Sequence, residues 1–263
     1  MMDALQNIIR IKEAVEKKYL GQPGVTGVDV GFKYVGGQRT DEIAIRILVE
    51  KKKKTVAKDE KVPDTIEGVK TDVIERTFEL HQFANKMAVA EIEIQADTGT
   101  YTPVKGGISI GPCRVIGGFV YTGTLGTIVR DNATGNTLLL SNFHVMCVDT
   151  GWHVGDQMAQ PSRVDTGSCP GSVVGTLLRA SLTGTVDAAV CTLSGRSSAC
   201  EIVDIGAVTG TATAVLNAPI RKRGRTTGLT YGFVDSVSLT VNVDYGDGIG
   251  LRTLSNQIGI RPD

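Results

Sequence analysis

Two stretches decide the reading of this sequence: Leu138-Leu139-Leu140-Ser141-Asn142-Phe143-His144-Val145 and Thr185-Val186-Asp187-Ala188-Ala189-Val190. In the first, a histidine sits just after a continuous apolar run, Leu138-Leu139-Leu140. A histidine at the end of a buried strand is held on a rigid element, which suits a general base. In the second, an aspartate enters an apolar strand, which is costly unless a partner satisfies it. An imidazole Nδ1–H is one such partner, and an aspartate so placed holds the tautomer and stabilises the imidazolium. A hydrogen-bonded core histidine and a capping or turn aspartate are the plainer readings of the same residues.

Working outward, the chain from about residue 103 onward alternates short apolar runs with Gly and Thr, as in GGISIGPC, GTLGTIVRD, GSVVGTLLRA and YGFVDSVSLTVNVD. Turn signals at short intervals point to an antiparallel sandwich or barrel. The N-terminal part differs. Leu5, Ile8, Ile9, Val15 and Tyr19 recur at helical spacing, Asp3 can cap the start, and Gly21 with Pro23-Gly24 ends the run, so residues 4–20 predict a helix. Val28, Val30, Phe32 and Tyr34 alternate with Asp29, Gly31 and Lys33, and Ile43, Ile45, Ile47 and Val49 share a face; both patterns predict strands joined at Gly36-Gly37. Residues 66–75 predict a third strand, and 83–95 a helix entering a strand within a connector. Lys51–Lys54 is either a solvated strand end that discourages edge pairing or a patch for an acidic partner.

The bulk composition narrows the classes. Lys+Arg and Asp+Glu both number 28, so there is no basic excess of the kind phosphate binding needs, and nucleic acid is not an expected partner. No apolar run reaches membrane-spanning length, so no membrane is expected either. The N-terminus is amphipathic and interrupted by charges, unlike a secretory signal, which predicts a cytoplasmic setting. The five cysteines, Cys113, Cys147, Cys169, Cys191 and Cys200, fit no zinc spacing and are read as reduced thiols serving as small core residues. Three scattered histidines, His81, His144 and His153, add no ligand set, so neither a metal nor an organic cofactor is implied. His153, beside the single tryptophan Trp152, is read as packed or surface, and His81 has no nameable partner.

At this point a resemblance becomes specific. LLSNFHV resembles the histidine motif, and TVDAAV the aspartate motif, of bacterial trypsin-like serine proteases, in the order of the chymotrypsin-like arrangement. VGDQMAQPS between them, RKRGRTTGLTYGFV (221–234) after them and GVTGVDVGFKYVGGQRTDEIAIRILVEKK (24–52) before them resemble further segments of one bacterial branch. The resemblance implies a mainly β fold: a chymotrypsin-like double β-barrel, the second barrel incomplete, preceded by a small α+β domain. It implies an N-terminal domain and connector over 1–96, a first barrel with His144 and Asp187 over 97–198, and a partial second barrel over 199–263. His144 and Asp187 are the catalytic residues it implies, and a protein or peptide is the implied substrate.

One element of that pattern is missing. The family's Gly-Asp-Ser-Gly motif, which supplies the nucleophile and the oxyanion amides, would follow LSNQIGI (254–260), and the sequence stops at Asp263. Cys169 lies before Asp187, whereas cysteine variants of the fold keep their nucleophile late; Ser162, Ser168 and Ser172 share that objection, and Ser255 lacks the glycines of an oxyanion hole. The expectation is therefore a portion of a serine endopeptidase that is inactive by itself. The alternatives are a pseudoprotease that binds or assembles, and a site completed by a separate chain carrying the serine. Unpaired barrel edges would favour pairing with such a fragment or self-association.

Overall fold

The computed structural model describes residues 2–58, 60–80, 83–86, 97–246 and 248–263. The chain is mainly β. The leading helix α1 (Met2–Leu20) precedes β1 (Val25–Val35), β2 (Gln38–Val49), β3 (Thr65–Ile66), β4 (Val69–Glu75) and β5 (Phe83–Lys86). The expected strand over 66–75 is thus split by a turn at Glu67-Gly68, both at positive φ. Residues 83–86 are strand where a helix start was expected, and the rest of that expectation, with His81, lies outside the described residues.

The barrel follows: β6 (Val104–Gly106), β7 (Ser109–Pro112), β8 (Phe119–Thr124), β9 (Thr127–Arg130), β10 (Thr137–Ser141), the short helix α2 (Phe143–Met146), β11 (Gln157–Ala159), β12 (Val173–Thr183) and β13 (Val186–Thr192). Hydrogen-bonded neighbours run β8-β7-β11-β12-β13-β10-β9. β8 leads straight into β9 through Leu125 and Gly126. The Leu125 N–H donates to Ile108 O, and the Gly126 N–H to Leu140 O, so one continuous strand bridges the two ends of the sheet and closes the ring. Closure removes the edges that an antiparallel sheet would otherwise expose. Ile108, Ile110, Leu125, Leu139, Met158 and Val174 fill its interior.

The remaining strands are β14 (Ser198–Ile202), β15 (Gly206–Ala207), β16 (Pro219–Gly224), β17 (Gly228–Asp244) and β18 (Leu251–Pro262). β14 and β15 form a small sheet with β6, and β16, β17 and β18 belong to a larger one. β17 carries β18 on one edge; on the other it carries first β16 and then β1, with Val28 opposite Thr240 and Gly31 opposite Ser236. The N-terminal strands and the C-terminal strands, separate units in the sequence reading, therefore share a sheet ordered β16-β17-β1-β2-β4-β3. One edge of β17 is therefore covered by β1.

Both faces of this sheet are covered. Ile11 and Tyr19 of α1 pack on Val28, Ile45 and Ile47. The opposite face sends Leu48, Leu239, Val241 and Val243 into the barrel's own core. Asp29 and Arg46, which alternation alone assigns to solvent, lie on that second face and are fully buried. Arg46 donates to both Asp29 oxygens at 2.7 Å and to Asp235 at 3.1 Å, and Arg76 reaches Asp235 at 3.0 Å. A buried charge survives only when paired in this way. Gly31 is required beside it, since a Cβ there would stand 2.3 Å from the Arg46 guanidinium carbon.

Cys113 and Cys169 are joined by a disulfide, which corrects the reading of five reduced thiols. The bond closes a loop of 56 residues that contains α2 and β11, and spacing could not reveal it. Cys147 and Cys191 are free and buried, and Cys200 is free and exposed.

Candidate active site

His144 and Asp187 come together where β10 runs into α2. Leu138 and Leu139 are buried in the barrel, and Ser141 is fixed by donating to Thr124 O at 2.7 Å. Ser141 pairs with Ala189 at the end of the ladder, so the residues that follow β10 lie beside the start of β13. At Asn142 the backbone is still extended; at Phe143 it turns into helix. Phe143, Val145 and Met146 take the buried faces of that turn, leaving His144 over the start of β13. Gly123 permits this seating, because a Cβ there would lie 2.6 Å from a Val145 methyl. Phe143 is held by an edge-on contact with Trp152, which gives the tryptophan a packing role.

His144 Nδ1 lies 2.6 Å from Asp187 Oδ2. An ionised carboxylate only accepts, so the neutral imidazole carries its proton on Nδ1 and leaves the Nε2 lone pair as the basic site. The backbone N–H of His144 donates to Asp187 Oδ1 at 3.3 Å, and Asn142 Nδ2 donates to the Asp187 carbonyl at 2.9 Å. Tyr245, at the end of β17, donates its hydroxyl to Oδ2 at 2.9 Å, and its ring stands edge-on to His144. Burial pushes the Asp187 carboxyl up, but the hydrogen bond and charge of His144, then the Tyr245 hydroxyl, outweigh it and hold the group below the usual carboxylate range. Burial and the facing carboxylate push the Tyr245 phenol well up, so it stays a donor. Asn142 and Tyr245 escaped the sequence reading; neither sits in a pattern that marks it.

The other nucleophile candidates are placed elsewhere. Cys169 is in the disulfide. Ser162 is buried and donates to Asp165, with its hydroxyl 3.1 Å away. Ser255 Oγ donates to Gly184 O, and Ser172 Oγ accepts from the Ser168 N–H. Burial pushes the Cys147 and Cys191 thiols up to about 12, far from a reactive thiolate. His153 lies in an exposed turn closed by its N–H to Asp156. Among the described residues, no group of three or more His, Cys, Asp and Glu gathers as a metal site, and no helix is long and apolar enough to cross a membrane.

A second polar cluster anchors the C-terminal strands to the barrel. Asp165 pairs with the Arg225 guanidinium and also accepts from Ser109 at 2.7 Å. Arg223 reaches Asp97, Asp204 and the Gly107 carbonyl. Within the basic segment 221–225, Arg223 and Arg225 are thus latches to the barrel, while Arg221 is exposed.

The molecule thus carries a closed, largely antiparallel β-barrel with a hydrogen-bonded His–Asp pair at its rim. No family model and no curated protein matches the chain. Among solved structures, the chain is similar to a glutamic-acid-specific serine protease described as using a novel histidine triad in substrate binding. The two are 23% identical with a TM-score of 0.42, over 60% of this chain and 72% of that one.

Proposed function

We propose that this chain carries the general base, His144, and the orienting aspartate, Asp187, of a serine endopeptidase whose nucleophile lies outside the 263 residues. The 2.6 Å contact between Nδ1 and Oδ2 carries the reading. It fixes the tautomer that leaves Nε2 able to accept a hydroxyl proton. In such a reaction His144 takes the serine proton as the oxygen attacks the peptide carbonyl, then returns it to the leaving amine. The substrate is a protein or peptide, and no cofactor takes part. The disulfide supports an oxidising compartment, against the cytoplasmic setting expected from the N-terminus.

The test is a fluorophosphonate label on the natural protein, with intact mass. A mass above 27.9 kDa, with a labelled serine that His144→Ala leaves unlabelled, is the expected result. A natural chain of that mass taking no label would overturn it. Residues 1–263 alone should show no His144-dependent peptide cleavage, because the members of such a site act as a unit. A second reading, an assembly module, is supported by β18, which leaves Leu251, Ile258 and Ile260 exposed.

A further inference from the structure

We propose that Tyr245 is a positioning residue: its hydroxyl locks the Asp187 carboxylate in the orientation that keeps the His144 proton on Nδ1. The proposal rests on the reading of His144 and Asp187 as base and orienter.

The argument begins with the capacity of the carboxylate. Asp187 Oδ1 takes the backbone N–H of His144, and Oδ2 takes the imidazole Nδ1. Both donors belong to one residue, so by themselves they let the two side chains shift together. Tyr245 supplies an independent anchor from another element, at 2.9 Å on Oδ2. A buried phenol beside a carboxylate is not needed for packing, since phenylalanine fills nearly the same space.

The phenol is itself held in place. Tyr245 is buried, and its N–H donates to Gly250 O within a turn closed by Gly250 N–H to Gly246 O at 2.8 Å. That turn joins β17 to β18, and β18 grips the tip of the hairpin that carries Asp187. The Ser255 N–H and hydroxyl both donate to Gly184 O, at 2.7 and 3.0 Å, and Gln257 Nε2 donates to Thr185 O at 3.0 Å. The β17–β18 hairpin is therefore docked on the β12–β13 hairpin through several bonds in fixed register. Tyr245 is the one among them that ends on the Asp187 carboxylate. Among the described residues, His144 and Tyr245 face that carboxylate, with the Cys147 thiol beyond.

Nuclear magnetic resonance on the full chain tests this without any substrate. In the unaltered protein, Tyr245 13Cζ should move on acidification with the same midpoint as the Asp187 carboxyl carbon. With Tyr245→Phe, the Asp187 midpoint should rise by roughly one pH unit, the worth of one charged hydrogen bond. The minor Nε2–H form of neutral His144, read from its ring nitrogens, should rise by a similar factor of about ten. Asp187→Asn is the reference and should abolish the preference for Nδ1–H. An unchanged midpoint and tautomer in Tyr245→Phe, with Asp187→Asn altered, would overturn the role of Tyr245 and leave the pair intact. A Tyr245 13Cζ indifferent to Asp187 would overturn it equally. A tautomer unmoved by Asp187→Asn would instead remove the base-and-orienter reading.

Discussion

At the scale of single residues, the site is a matter of who shares Asp187 with whom. His144 and Asp187 were legible as a candidate pair because one follows an apolar run, the other precedes one, and both sit in strings that resemble known motifs. Asn142 and Tyr245 bind the same aspartate but sit among ordinary strand and turn residues. The cysteines show the same limit. Their pairing depends on which loops the barrel brings together, and Cys113 and Cys169 are 56 residues apart. Stepwise alkylation with mass spectrometry checks the outcome. Cys200 alone should react in the native protein, Cys113 and Cys169 should join it after reduction, and Cys147 and Cys191 should react only on unfolding. Native labelling of Cys147 would contradict the burial found for it.

At the scale of elements, period-2 alternation located β1 and β2 but misjudged one of their faces. Alternation distinguishes the two sides of a strand; it cannot say that a second layer covers the polar side. Here the barrel core covers it, and Asp29 and Arg46 survive there as a pair. Gly31 is part of that arrangement for steric reasons alone, as its φ is not in the left-handed region. Gly31→Ala should displace the guanidinium from its carboxylates and cost about 3 kcal/mol, combining overpacking with a damaged buried charge pair. Urea denaturation measures this. A loss under about 0.5 kcal/mol, the size of an ordinary surface change, would show that the pair adapts. The β-rich class and the barrel were legible because glycine-punctuated apolar runs leave little else to build. The partnership of β1 with β17 was not, because it joins segments from opposite ends of the chain through backbone bonds that any residues can make.

For the whole molecule, the depressed carboxylates set the acid limit. Asp235 is pushed up by burial but held low by the charges of Arg46 and Arg76, Asp97 by Tyr101 and Arg223, and Asp187 by His144. A carboxyl whose folded value lies below its unfolded one adds stability that is fully present above about pH 4 and is lost as pH falls through the folded value. Denaturation midpoints should therefore hold between pH 5 and 7 and fall steeply below about pH 4. Arg46 and Arg76 cannot shed their charge, so Asp235→Asn should lower stability at neutral pH and flatten the acid limb. An acid limb of unchanged slope in that variant would show that Asp235 is not one of the linked groups.

Strand β17 touches β1 along one edge, and the hairpin it begins touches Asp187 beyond the other end. In terms of folding order, β1 can pair with its neighbour β2 at once, but its other edge waits for the distant β17, and the hydroxyl on Asp187 arrives with that same later strand. Contacts so distant along the chain are made slowly, after the entropy of closing the largest loop has been overcome. The barrel can close from its own neighbouring strands sooner. This topology predicts an order of assembly in which the histidine's platform forms first and the geometry of its aspartate is completed when β17 docks.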